Sequence, residues 1–173
     1  MIETDRLCLS TVSQKDWAGY APILRAPETS RFSDLPKKPS DKRITALINW
    51  MVRISADGKG HAWMIRMQGS DQIIGCIRIN QIEKKTAIGS IGYELAEQFW
   101  NKGLMTEAVQ AVADYCFLTL SLFRLEAWTH LENESSKNVL LKAGFQMEGV
   151  QRQKIVDGEN RHDLCLFGKL AID

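Results

Sequence analysis

No apolar run in this 173-residue chain approaches the ~20 residues needed to cross a bilayer, and the N-terminus, MIETDRLCLS, lacks the basic and apolar regions of a signal peptide. A cytoplasmic protein is expected. The chain has no C-x-x-C pair: Cys8, Cys76, Cys116 and Cys165 are far apart in apolar segments, the pattern of four buried thiols in a reducing compartment. His61, His130 and His162 have no metal-ligand spacing, so no metal is expected. Charge of one sign is scarce as well. The formal net charge is +1, with no basic block beyond Pro36-Lys37-Lys38-Pro39, which excludes a broad nucleic-acid or membrane surface. Repeats, linkers and low-complexity segments are absent, so residues 1–173 read as one domain. Its 45% apolar and 25% charged residues are ordinary for a soluble globular protein.

What is present reads as mixed strands and helices. Leu7 to Leu9 is a short strand, followed by a helix from Ser13 and Asp16 with Trp17, Tyr20, Ala21 and Leu24 on its apolar face. Pro22 is expected to kink or shorten that helix. Ala26 to Pro39 is rich in turn formers and reads as an exposed loop. From Ser40, apolar residues at Ile44, Leu47, Ile48, Met51 and Ile54 mark a second helix that stops at Asp57-Gly58. Three strands follow, about residues 62–67, 73–83 and 86–95. Beyond a central helix, Arg124 to His130 is a strand, Ser135 to Ala143 a short helix, and Phe145 to Val156 a strand that turns at Asp157-Gly158 into a last one, about Asp163 to Ala171. The order predicts an α/β sandwich, one sheet with helices on both faces.

The stretch EQFWNKGLMTEAVQAVADYCFLTL, Glu97 to Leu120, organises the rest. A strand ending at Leu95 leads into a polar loop, Asn101-Lys102-Gly103, and then into a helix that is apolar apart from a stripe of Glu107, Gln110 and Asp114. Strand, tight loop and helix start leave several backbone N–H groups unpaired, with the positive end of the helix dipole aimed at one point, a geometry that suits a phosphate or pyrophosphate. A turn of no further function is the alternative.

The order of elements and two motifs resemble the GNAT superfamily of N-acetyltransferases and, within it, the RimJ/RimL-type ribosomal-protein N-terminal acetyltransferases. The resemblance covers nearly the whole chain: ETDRLCL, IGYELAEQFWNKGLMTEAV, NESSKNVLLKAGFQMEGV and DGENRHDLCLFG. The middle motif is similar to the acyl-coenzyme A loop Q/R-x-x-G-x-G/A with Gly103 as its central glycine, but Trp100 stands where Gln or Arg is usual and Met105 where Gly or Ala is usual. The later motif matches at Asn133, Ser136, Leu141, Lys142, Gly144, Phe145, Glu148 and Gly149. The resemblance implies a mostly antiparallel central sheet of about seven strands.

It also implies transfer of an acetyl group from acetyl-CoA to a primary amine, the α-amino group of a ribosomal or other protein N-terminus, directly within a ternary complex. The cofactor would lie against Leu95, Trp100, Asn101, Lys102, Gly103, Leu104 and Met105, with Lys142 and Lys102 near its phosphates. It would enter a gap between Gly92 to Leu95 and Trp128 to His130, where Tyr93 to Ala96 supply backbone oxyanion donors. By resemblance Asn133 binds the pantetheine amides and Ser136 donates a proton to the leaving thiolate; the alternative is that both only cap the short helix. A tyrosine that some branches use as the acid is excluded, because Leu140 occupies its place. Many relatives carry a glutamate just before I-G-Y where this chain has Ser90; strand alternation puts Glu94 on the same face, as a proton acceptor, directly or through water, or as a solvated or salt-bridged surface carboxylate. Phe32, Asp34, Asp157 and Glu159 are expected to rim the acceptor side. The partners implied are acetyl-CoA and an amine acceptor, with the protein a monomer or a homodimer. Two rival readings stand beside this one: a small-amine acetyltransferase, for a polyamine or amino sugar, and a non-catalytic acyl-CoA-binding protein.

Overall fold

The computed structural model describes residues 1–32 and 36–173. Eight strands form one sheet in the order β1-β2-β3-β4-β5-β6-β8-β7: β1 Ile2–Glu3, β2 Leu7–Thr11, β3 His61–Met67, β4 Ile73–Glu83, β5 Ile88–Leu95, β6 Arg124–His130, β7 Gln146–Asp157 and β8 Asn160–Leu170. Every neighbouring pair is antiparallel except β5 and β6. The extra strand is the two-residue β1, too short to give an alternation in sequence.

The helices are α1 Trp17–Arg25, α2 Pro27–Ser30, α3 Asp41–Ala56, α4 Leu104–Leu118 and α5 Glu134–Lys142. Two corrections to the expected elements concern proline. Helix α1 runs through Pro22, whose place is exposed, so the backbone acceptor it leaves unpaired can be solvated. The expected loop from Ala26 begins with α2, where Pro27 sits at the first helical position, needing no N–H partner.

Strand alternation sends β4 and β5 side chains to two different cores. On one face Ile77, Ile79, Ile91 and Leu95 pack with Leu104, Ala108, Val109 and Val112 of α4 and Leu140 of α5. On the other, Met64 and Cys76 pack with Tyr20 and Leu24 of α1 and Ile44, Ile48 and Met51 of α3. The sheet therefore positions two helical layers, and the parallel pair at its centre opens between them. Strands β5 and β6 pair only over Ile88–Ser90 with Arg124–Glu126, so the remainder of β5 has no neighbour on that side.

Candidate active site

The strand–loop–helix stretch folds into an N–H-lined cradle at the mouth of this opening. Asn101 and Gly103 both have left-handed backbones, with φ of 59° and 74°, which reverse the chain between β5 and α4. Among the described residues, none of the N–H groups of Asn101, Lys102, Gly103, Leu104, Met105 and Thr106 donates to a protein acceptor. They converge at the start of a 15-residue helix, whose dipole adds a positive potential. Trp100, the departure from the loop pattern, has a structural use: its indole Nε1 donates to Leu95 O at 2.7 Å and ties the loop to the end of β5. Met105, the other departure, is buried in the core, so its side chain does not approach an anion.

Sequence reasoning missed the strut beneath this loop. Arg6, from the turn between β1 and β2, donates from Nη1 to Lys102 O at 2.9 Å and from Nε to Glu107 Oε2 at 2.6 Å, while the Thr4 hydroxyl binds the same carboxylate at 2.5 Å. Burial acts to raise the Glu107 pKa, but the bonds from Thr4 and Arg6 hold it below the ordinary carboxylate value. In the sequence Glu107 is only one member of the polar stripe it forms with Gln110 and Asp114, and nothing there pairs it with Arg6. Lys102 differs from its expected place at a phosphate: its Nζ donates to Gln98 O at 2.8 Å and lies over the Phe99 ring.

A cleft of about 900 Å³ runs from this cradle through the opened gap to the α1 and α3 face. Its walls bring together Leu95, Trp100, Asn101, Gly103, Leu104, Met105, Asn133, Ser136 and Lys142, as expected for a cofactor site, with Tyr93, Glu94 and Phe32. Asn133 Oδ1 accepts from Ser136 N at 3.1 Å and caps α5, so the capping interpretation holds for that oxygen while both side chains still line the cleft. Ala96 donates its N–H to Ile74 O at 2.8 Å and is not an oxyanion donor. By alternation along β5, the N–H groups of Tyr93 and Leu95 then face the gap.

The Tyr93 hydroxyl crosses the gap to Ser136 Oγ at 2.9 Å. Burial pushes the phenol up to about 12, an effect its bond with Ser136 only partly offsets, so Tyr93 stays protonated throughout the neutral range. Glu94 is not the free carboxylate expected of a proton acceptor. Arg78 Nη1 lies 2.8 and 2.6 Å from its two oxygens, and the buried Tyr20 hydroxyl donates to Oε1. Burial would lower the Arg78 pKa, but the Glu94 carboxylate more than compensates and holds the guanidinium charged; burial, with the nearby thiol and carboxylate, raises Tyr20 well above the ordinary phenol value. One sequence signal was available: an arginine inside IIGCIRIN, an otherwise buried strand, requires a counter-charge.

On the acceptor side the outcome is divided. Phe32 lines the cleft and packs 5.3 Å from His130 between ring centroids. Asp34 lies outside the described residues. Asp157 and Glu159 do not line the cleft: β7 and β8 continue beyond Leu164, the last partner of β6, and carry their turn past the sheet. Glu28, Arg31, Leu47, Trp50, Asn80 and Trp128, not anticipated from the sequence, also line the cleft.

An open sheet splayed at its one parallel pair, beside an N–H cradle, is the architecture of an acyl-coenzyme A-dependent transferase. Over residues 6–146 the chain matches the model of the acetyltransferase (GNAT) domain and belongs to that family. It is 29% identical to the uncharacterized N-acetyltransferase YoaA of Bacillus subtilis, over 96% of this chain and 94% of that protein. The ribosomal-protein-serine acetyltransferase of Escherichia coli is 29% identical over 65% of this chain and 63% of its own length. The spermidine N(1)-acetyltransferase of the same organism is 26% identical over 55% and 51%. In fold, the ribosomal L7/L12 α-N-protein acetyltransferase RimL, solved with coenzyme A, superposes with a TM-score of 0.88 at 19% identity, over 96% of this chain and 95% of that one.

Proposed function

We propose that this enzyme transfers the acetyl group of acetyl-CoA directly to the α-amino group of a protein N-terminus, with ribosomal proteins the favoured acceptors. The observation that carries the choice of acceptor is the Arg78–Glu94 ion pair at 2.6 Å, which neutralises the carboxylate on the acceptor floor. Glu134 on the cleft wall is likewise paired, with Lys137 at 2.6 Å. With Lys142 reserved for a cofactor phosphate, that leaves Glu28 and Glu132 against Arg31 among the described lining residues, a weakly charged wall rather than the strongly acidic one a polycation requires. The ribosomal-protein-serine relative supports the same reading.

The N–H groups of Asn101 to Thr106, without protein acceptors among the described residues, fit the pyrophosphate of acetyl-CoA, Asn133 and the open edge of β5 fit its pantetheine amides, and Lys142, whose ammonium has no ion-pair partner among those residues, fits a phosphate. Once bound, the cofactor supplies an activated thioester. The Tyr93 and Leu95 N–H groups would stabilise charge on an oxyanion in the gap, and the Tyr93 and Ser136 hydroxyls would donate hydrogen bonds to a developing thiolate. An unperturbed α-amine titrates near pH 8, so roughly a tenth of it is uncharged at pH 7, against a few parts in ten thousand for lysine. Binding in position therefore does most of the work, and with Glu94 occupied by Arg78 the released proton passes to water.

Direct transfer is supported by the cysteines. None of the four lines the cleft. Cys76, Cys116 and Cys165 are buried, and burial pushes the first two thiols up to about 12 and raises the third. Cys8, expected to be buried, is half-buried on β2.

Steady-state kinetics with acetyl-CoA test the acceptor. A peptide beginning with Ser or Ala should exceed spermidine in kcat/KM; a hundredfold preference for spermidine would overturn the acceptor and leave the acetyltransferase intact.

A further inference from the structure

The register of β4 and β5 sets Arg78 directly opposite Gly92. The guanidinium lies over the glycine: Nη1 is spent on both Glu94 oxygens, the Cys76 thiol lies beside the group, and Nη2 has no oxygen acceptor among the described residues. Asn80 stands at the irregularity between Ile79 and Gln81, and its side-chain amide has no partner there either. Both nitrogens border one small space. A Cβ built on Gly92 would sit 3.0 Å from Asn80 Nδ2 and 3.7 Å from Arg78 Nη2, so the absent side chain is what leaves the space open to the cleft. Two donors around a void, one of them charged, are complementary to an oxygen and repel an ammonium group.

We infer that Arg78 and Asn80 form a subsite over Gly92 that holds the carbonyl or carboxylate oxygen adjacent to the acceptor amine, selecting an α-aminoacyl group. This deepens the proposed α-amine acceptor and rests on it. In an α-aminoacyl group the nitrogen and that oxygen are about 3 Å apart, set by the N–Cα, Cα–C and C=O bonds. Anchoring the oxygen over Gly92 holds the nitrogen at the same turn of β5, where the gap toward β6 opens beyond Ser90. The pairing of Arg78 with Glu94 has a second consequence: both carboxylate oxygens hold Nη1, so the guanidinium is ordered before the acceptor arrives. A peptide and a free amino acid share the recognised group. A polyamine, which has no such oxygen, forfeits both bonds.

The test pairs a variant with an acceptor analogue. Acetylation of a peptide beginning with Ser is compared with that of the same peptide whose first amide is replaced by an (E)-alkene, which keeps shape and neutrality but removes the oxygen, and with that of free serine. For the native enzyme the alkene peptide should lose roughly a hundredfold in kcat/KM. Asn80→Ala should lose roughly tenfold on the natural peptide and little on the alkene peptide, because the interaction is already gone. Gly92→Ala needs no left-handed backbone and meets only the far ends of the Asn80 and Arg78 side chains, so the fold has room for it and it fills the subsite; it should behave as Asn80→Ala or worse, with acetyl-CoA affinity unchanged in calorimetry. Equal losses on both peptides for either variant would overturn the subsite while leaving the α-amine acceptor standing. Serine acetylated faster than the peptide, with the same dependence on Asn80, would uphold the subsite and assign it to free amino acids. An enzyme that acetylates spermidine and none of these acceptors would overturn subsite and acceptor together.

Discussion

The Tyr93 hydroxyl lies 2.9 Å from Ser136 Oγ, joining β5 to the first turn of α5 across the opened gap. A phenol held at about 12 is a weaker acid than a thiol of ordinary pKa near 8.5, so in the proposed mechanism this pair would stabilise a thiolate by hydrogen bonding and keep its own protons. Tyr93→Phe and Ser136→Ala are each expected to lower kcat roughly tenfold or more and to leave the KM for acetyl-CoA close to native. The bond itself contributes about 1 kcal/mol to stability, so both variants should remain folded in circular dichroism.

Gly103 carries the cofactor prediction. Its φ of 74° places a β-branched side chain in a conformation that costs about 1–2 kcal/mol, and relief of that strain reorients the surrounding N–H groups. Gly103→Val should weaken acetyl-CoA binding at least roughly tenfold by calorimetry, since each charge-assisted N–H bond lost is worth about 1.5–3 kcal/mol. The nearest atom to a Cβ there is Arg6 Nη2 at 3.6 Å, so the fold has room for the change. Unchanged affinity in the folded variant would remove the phosphate cradle from the account.

Arg78 and Glu94 are 20% and 14% exposed at their side chains, and breaking such a pair leaves a desolvated charge. In urea unfolding, Arg78→Met should cost about 3–5 kcal/mol, whereas adding Glu94→Gln to it should restore most of that loss. A double variant no more stable than Arg78→Met would show that the arginine acts through packing rather than charge.

With Glu94 engaged, the pH dependence belongs to the acceptor. For a peptide α-amine, kcat/KM should climb about tenfold per pH unit to a plateau near pH 8, because only the uncharged amine reacts. Tyr93 loses its proton only near 12, so the plateau should extend to about pH 10. A plateau reached by pH 6 would reveal a dedicated base. Stability has its own limb: the Glu107 pKa is depressed in the folded state, so its contribution is present above the unfolded value and is lost as pH falls below about 4.5.

Much of this was legible in the sequence because it is local. The period of Ile44, Ile48, Met51 and Ile54 gave α3 within a residue of its ends, and the strand, loop and glycine of the cofactor cradle are contiguous. The cross-chain partners were not legible. Tyr20 meets Glu94 across 74 residues and Arg6 meets Glu107 across 101, distances over which one sequence carries no pairing signal. Asp157 and Glu159 were misplaced for a related reason: local turn chemistry locates a hairpin tip, but only the length of the β6 partner decides whether the tip reaches the cleft.

Tandem mass spectrometry of a competition reaction tests the central claim most directly. The enzyme is supplied with limiting acetyl-CoA, a peptide that begins with Ser and contains an internal lysine, and an equal concentration of spermidine. The account predicts one added acetyl group on the first residue of the peptide, with the lysine and spermidine unmodified. Acetyl groups found on spermidine or the lysine, with the α-amine left free, would contradict it.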